Sequence, residues 1–395
     1  MRKITADYIY PVSSKPLKNG IVIVGNKGEI LDLIDTQGSI QEVANLEHYN
    51  GIIVPGFVNA HCHLELSYFK HLEMVSTRGL PHFIKNIVSL RDQPEAMQLE
   101  AIAEADCEMR DNGIVAVGDI SNSAVSFKIK ADSTIDYYTF LEVFTMGQKS
   151  IYDIMNEAQH LLSLLKNLSL SSSIVPHAPY SVPPQLYDAI LKTFNDSSQL
   201  YSVHNQETTS ENSFYHKSGA LYDMFLSWGV DLSVYPHTKQ SSIRSTAGFF
   251  PVSNHKLLIH NIFTTKEDIH FLLETSNNIH FVLCPNSNLL IEQQLPNVPL
   301  LIESGLNIAL GTDSYASNQQ LSILSEMQTL SKSFPDIAFE ILLEMACING
   351  AKALKYENKF GSIEKGKTPG LNLITSFDYD QKKLSNKSKL KVLVR

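Results

Sequence analysis

Between residues of about 52 and 350, short apolar runs alternate with stretches whose apolar positions recur at helical spacing. The runs at 52–58, 114–119, 137–143, 172–177, 200–204, 256–260, 280–284 and 306–310 predict eight strands. Helical periodicity is expected between them, over 95–110, 151–165, 185–194, 213–228, 266–274, 298–303 and 319–331. The flanks follow another rule. Residues 6–11, 19–24 and 30–34, with the turn signal Asn26-Lys-Gly28, read as short strands, and so do 371–374 and 390–394 near the other end.

Strict strand–helix alternation predicts an α/β chain folded as a (β/α)8 TIM barrel over residues 55–355. Strands from opposite termini can pair, because chain ends often lie close together at a domain surface. Residues 1–54 plus 356–395 are therefore expected to form one discontinuous β-sandwich domain.

Polar residues gather where the apolar runs stop. His61 and His63 close the first run; two apart on an extended segment, they point the same way and offer a divalent ion two imidazoles. A lone His-x-His is more often a pair of surface or core histidines. Here His204 closes the fifth run, with Glu207 three residues on, His260 closes the sixth, and Asp313 follows the eighth in Leu310-Gly-Thr-Asp-Ser314. Taken singly these are a core histidine, a loop acid, a second core histidine and a helix cap. Together, always on the carboxyl side of a strand, they make a constellation at the end where parallel barrels carry their chemistry.

Composition narrows the setting. The 395 residues are 43% hydrophobic and 18% charged, enough for a large core, and the net charge of -9 disfavours a nucleic-acid phosphate backbone as partner. No apolar segment is long enough for export or membrane insertion, so no membrane partner is expected and a cytoplasmic location is. Cys62, Cys107, Cys284 and Cys347 are scattered as reduced core thiols would be. Amphipathic barrel helices leave room for a homo-oligomer.

The motifs Pro55-Gly-Phe-Val-Asn-Ala-His-Cys-His-Leu-Glu-Leu-Ser67, Pro176-His-Ala-Pro-Tyr-Ser181, Val203-His-Asn-Gln-Glu207, Leu258-Ile-His-Asn261, Cys284-Pro-Asn-Ser-Asn288 and Leu310-Gly-Thr-Asp-Ser314 resemble those of the amidohydrolase superfamily. The chain is most similar to its branch of cytosine, guanine, adenosine-type and S-adenosylhomocysteine deaminases and triazine chlorohydrolases, and within that to aminodeoxyfutalosine deaminases. The resemblance implies that His61, His63, His204 and Asp313 bind one divalent ion, zinc or ferrous iron. It also implies that Glu207 shuttles protons, that His260 orients the attacking water or the leaving group, and that Asp313 helps move a proton to departing ammonia. Two-metal members add a strand-four lysine, and 172–180 contains none.

The implied reaction is hydrolytic deamination of a small aminated heterocycle, a purine nucleoside-like compound. Hydrolysis of a cyclic amide or carbon–halogen bond, or a non-catalytic binding barrel, are the alternatives. Four residues stand as substrate contacts, each against a plainer role: His177 against a structural histidine, Glu65 against a loop cap, Glu142 against a scaffold ion pair, and Arg244 against a solvated loop charge. The segments 65–91 and 235–255 are the longest loops expected to shape specificity.

Overall fold

The computed structural model describes residues 1–39, 43–72 and 79–395. Two four-stranded sheets are parallel throughout. The first contains Phe57–Cys62, Ile114–Ser121, Asp136–Val143 and Ser171–Pro176; the second contains Tyr201–Asn205, Lys256–His260, Ile279–Leu283 and Asn307–Leu310. Helices such as Glu95–Asp111, Ile151–Asn167 and Lys266–Thr275 alternate with them, giving a TIM-barrel-type α/β fold.

The strands are buried on both faces, which explains why their sequences run apolar without strict alternation. Val58, Ala60, Phe140, Val175, Ile259, Val282 and Ala309 fill one cluster, and Phe57, Val117, Leu258, Phe281 and Leu310 belong to another. Each fully buried large side chain contributes roughly 1.5–3 kcal/mol.

The two sheets touch at two places. At one, His204 N–H donates to the His177 carbonyl at 2.9 Å. At the other, the N–H groups of Thr312 and Asp313 donate to the His61 carbonyl at 3.0 and 3.1 Å, and Cys62 bridges to Asp313. Gly311 permits this second contact, because a Cβ there would lie 2.8 Å from the His61 Cβ and 2.9 Å from its carbonyl oxygen.

Strands from both chain ends do pair. A seven-stranded sheet orders Lys389–Val394, Leu371–Thr375, Leu46–Pro55, Arg2–Ile9, Ile21–Val24 and Ile30–Ile34, with Leu17–Lys18 on the edge of Arg2–Ile9. Its own apolar cluster includes Ile4, Val22, Ile53, Ile363 and Leu371. Strand pairing links all seven into one sheet.

Three expectations need correction. The apolar run 52–58 is not one strand: it breaks at Gly56, between Leu46–Pro55 of the terminal sheet and the barrel strand Phe57–Cys62. Gly56 N–H donates to the Pro369 carbonyl at 3.0 Å, and a Cβ there would meet that oxygen at 2.5 Å. An apolar run reports burial and not which sheet does the burying. Second, the helix expected over 213–228 is two pieces, Thr209–Phe214 and Ala220–Ser227, interrupted at Gly219, whose φ of 94° is left-handed. Third, the expected loop 65–91 holds a helix, Leu80–Leu90, which Pro81 and the apolar spacing Leu80, Phe83, Ile84, Ile87 signal in retrospect. Residues 73–78 of that segment lie outside the described residues. Among the described residues no helix is long and apolar enough to cross a membrane, and all four cysteines are free thiols.

Candidate active site

His61 is the penultimate residue of the first barrel strand and His63 lies one residue beyond its end; His204 and His260 stand at the ends of the fifth and sixth strands, and Asp313 follows the eighth. The strand ends therefore bring the expected set together. His63 Nε2 lies 3.2 Å from His61 Nε2 and 3.3 Å from His204 Nε2. Asp313 Oδ1 lies 3.7 Å from His61 Nε2 and 3.5 Å from His63 Nε2.

The other ring nitrogens show which way the imidazoles are poised. His204 Nδ1 donates to the His177 carbonyl at 2.9 Å, and His260 Nδ1 to Asn288 Oδ1 at 2.8 Å. With its proton on Nδ1, each of these two rings leaves Nε2 as a lone pair free to ligate a cation. Tetrahedral zinc with ligands at 2.0–2.1 Å requires nitrogens about 3.3 Å apart. The spacing fits. Candidate ligand atoms of His61, His63 and Asp313 lie within 4.8 Å of one another, as do those of His61, His204 and His260, and of Glu142, His177 and His204.

Backbone strain accompanies the convergence. Gln206, His260, Asn261 and Asp313 have φ of 48°, 74°, 59° and 58°, a region that non-glycine residues seldom occupy. Such conformations cost about 1–3 kcal/mol each and persist where surrounding contacts over-determine them.

Electrostatics in the site follow from its dryness. Burial, then the carboxylates of Asp313, Glu211 and Glu292, push the Glu207 carboxyl well above its usual range. Its Oε1 lies 3.6 Å from His260 Nε2. Burial also opposes charge on Asp313, but the hydrogen bond with His61 and the neighbouring His63 and His260 outweigh it and hold that carboxyl well below its usual value. Burial and neighbouring imidazoles lower His63 to about 3, while burial and the His260 and His61 rings lower His177 to about 4. Neutral imidazoles are the form that ligates a metal.

A cavity of about 550 Å³ opens onto these groups. His177, Glu65 and Glu142 line it together with His63, His204, Glu207, His260 and Asp313. His177 Nδ1 is 2.7 Å from the Ser181 hydroxyl, where the plainer reading needs a loop carbonyl, and the residue lines the cavity. Glu65 accepts from Asn122 N–H at 3.0 Å and from Ser123 N–H and Oγ–H at 3.2 and 3.1 Å, the loop-capping role, and burial raises its carboxyl to about 7. Glu142 Oε1 lies 3.3 Å from His204 Nδ1, and burial raises its carboxyl to about 8. Arg244 is elsewhere. On the short helix Ser242–Thr246, its Nε pairs with Asp268 Oδ1 at 3.0 Å and its guanidinium lies over the Phe271 ring, so it is a scaffold cation and not a wall of this cavity.

Sequence reading missed several participants. The helix Leu80–Leu90 supplies Leu80, Ile84, Ile87 and Val88 to the cavity wall. Ser287 and Ser317 both donate to Asp313 Oδ2, at 2.6 and 2.7 Å. Lys130, wholly buried, pairs with Asp119 and donates to Ser121 Oγ at 2.7 Å. No signal marks that lysine in the sequence, since its helix, Phe127–Asp132, is shorter than one hydrophobic period can reveal.

A model of the amidohydrolase family matches residues 52–391. An adenosine deaminase of Helicobacter pylori is 26% identical over 84% of this chain and 80% of its own. Among solved structures, an aminofutalosine deaminase of Helicobacter pylori in complex with methylthio-coformycin superposes with a TM-score of 0.79 at 22% identity, covering 96% of this chain and 93% of the other. An adenosine deaminase from Xanthomonas campestris with bound zinc gives a TM-score of 0.73 at 21% identity, covering 94% and 84%.

Proposed function

The chain belongs to the amidohydrolase family, and we propose that its site performs metal-dependent deamination of a purine nucleoside-like compound. The observation that carries this reading is the convergence of three histidine Nε2 atoms and Asp313 Oδ1 beside the buried acid Glu207, at the floor of one cavity. The enzyme is a hydrolase of carbon–nitrogen bonds, as the adenosine deaminase similarity supports.

His61, His63, His204 and Asp313 hold one divalent ion. Zinc is favoured by the tetrahedral spacing, with ferrous iron the competitor that metal analysis distinguishes. When bound, the ion lowers the pKa of a water from about 15.7 toward neutrality and so supplies the nucleophile. The chain's own residues do the rest. Glu207, a buried carboxyl beside His260 Nε2, moves the proton: it takes one from the water and delivers it to the ring nitrogen beside the amidine carbon, which makes that carbon electrophilic. His260, neutral and held through Nδ1, keeps Nε2 beside Glu207 and directs attack to one face of the ring. Asp313 would take the proton left on the attacking oxygen and pass it to the amino group, so that the carbon–nitrogen bond breaks, ammonia departs and the oxo product forms. His177, Glu65 and Glu142 touch the substrate from the wall.

The two four-stranded sheets are read as halves of one closed (β/α)8 barrel over residues 55–355. Residues 1–54 and 356–395 form the second domain. Incubating the zinc-loaded protein with adenosine and 5′-substituted adenosines and measuring ammonia tests the reading. Release of one ammonia per nucleoside consumed supports it, and a zinc-replete protein inert across such a panel sinks it.

A further inference from the structure

Strand seven, Ile279–Leu283, ends without a ligand or an acid, yet the segment that follows it is a buried, hydrogen-bonded polar stretch beside the site. The short helix Pro285–Ile291 presents Asn286, Ser287 and Asn288 in succession. Ser287 and Asn288 are 0 and 1% exposed. Ser287 Oγ–H donates to Asp313 Oδ2 at 2.6 Å. Asn288 Oδ1 accepts from His260 Nδ1 at 2.8 Å. One residue thus grips the side chain after strand eight, and the next grips the side chain that ends strand six.

The segment is itself locked. Asn286 donates its N–H to Glu326 Oε2 and its side-chain amide to Glu326 Oε1, both at 2.9 Å, and Glu326 is wholly buried on the helix Ile323–Ser333. Asn318 ties the same carboxylate to the Thr312 carbonyl, one residue before Asp313, through two bonds of 2.8 Å.

We propose that Ser287 and Asn288 are positioning residues that set the two neighbouring strand ends from outside the reacting shell. Ser287, helped by Ser317 at 2.7 Å, occupies Oδ2 of Asp313, so that the carboxylate offers Oδ1 alone toward the imidazoles. A carboxylate with one oxygen satisfied by two hydroxyls binds an ion through the other and cannot swing to chelate through both. Asn288, by accepting at Nδ1, fixes the proton of His260 there and leaves Nε2 as a lone pair facing Glu207. Its own side-chain Nδ2 has no partner, so the oxygen is the atom the site uses. Both statements rest on the metal-binding reading above. They differ from it in naming residues that touch neither ion nor substrate.

The test separates failure of this inference from failure of that reading. Zinc affinity is measured by chelator competition on the parent, Ser287→Ala, Ser317→Ala and the double variant, with melting temperature as the check on folding. Loss of a group that orients a metal ligand typically weakens binding by about 10–100-fold. Each single variant retains one hydroxyl donor and is expected to lose about threefold; the double variant is expected to lose about 100-fold, more than the product of the singles. A folded double variant within threefold of the parent overturns the role of the serines. A parent that binds no zinc overturns the metal reading instead.

For Asn288, the pair Asn288→Ala and Asn288→Asp is decisive. Aspartate keeps an acceptor opposite Nδ1, whereas alanine removes it. Turnover of the alanine variant is expected to fall about 10- to 100-fold with KM little changed, and aspartate to recover most of the loss. In the metal-free protein, nitrogen-15 shifts of the His260 ring are expected to report the Nδ1–H tautomer in the parent and aspartate variants and a mixture in the alanine variant. Aspartate as damaging as alanine, or a parent ring protonated on Nε2, overturns the assignment.

Discussion

Asp119 Oδ1 accepts a hydrogen bond of 2.7 Å from the backbone N–H of Leu64, the residue that follows His63. Its other oxygen pairs with Lys130, and the side chains of both ions are 0% exposed. The helix Phe127–Asp132 thereby fixes, through one buried ion pair, the turn that follows His63, a proposed metal ligand. Asp119 is accordingly a support and not a ligand.

Removing one partner of a buried pair strands the other charge, at about 3–5 kcal/mol, whereas an apolar pair of similar volume is often tolerated. Lys130→Met is expected to lower stability by that amount and to weaken zinc binding, and Lys130→Met with Asp119→Leu to regain stability but not zinc affinity. Denaturant melts and chelator titration check both. Equal zinc affinity in the single variant and the parent would falsify the link to His63.

Glu207→Gln keeps the shape of the side chain and removes its proton exchange. Turnover is expected to fall about 100- to 10,000-fold while zinc content stays stoichiometric, because Glu207 stands outside the proposed ligand set. Elemental analysis beside an ammonia assay reads both, and a Gln variant as active as the parent removes Glu207 from the mechanism.

Gly311→Ala places a methyl against the first strand, 2.8 Å from His61 Cβ and 2.9 Å from its backbone oxygen, where neither atom can retreat. Overpacking of this kind costs typically 1–3 kcal/mol. Because the displaced residue is itself a proposed ligand, zinc affinity is expected to fall with stability. Gly305→Ala, where the added methyl meets nothing but the left-handed φ of 70° remains, serves as the strained control that spares the metal.

Far from the site, His280 contacts His255 at 3.0 Å and Asn307 at 2.7 Å. Burial first, then the charges of His255 and nearby lysines, lower the His280 pKa from 6.5 to about 3. A depressed folded-state pKa means that the unfolded chain binds a proton the native ring refuses. Stability from this group is therefore complete above pH 6.5 and is lost as pH falls from there toward 3, by up to about 1.4 kcal/mol per pH unit. His280→Gln cannot take up that proton. Its melting temperature is expected to fall less steeply than the parent's between pH 7 and 5, and parallel slopes would show that His280 does not titrate on unfolding.

What the sequence determined by itself was whatever short range encodes. Strand positions followed from apolar runs, and in the second sheet the bounds differ by at most a residue or so, as at Lys256–His260. The histidines, Glu207 and Asp313 were legible because each closes such a run or follows it within three residues, and chain direction in a parallel fold sends all such ends to one side. Tertiary structure decided what depends on which surfaces meet. Gly56 splits one apolar run between two sheets, since hydrophobicity records burial and not the partner. Arg244 turned to Asp268, a carboxylate that folding brings within 3.0 Å of its Nε from the helix Lys266–Thr275. Ser287 and Asn288 acquired their roles from side chains 26 and 28 residues away in sequence, and the bonds that orient Asp313 and His260 exist only once three strand ends are side by side.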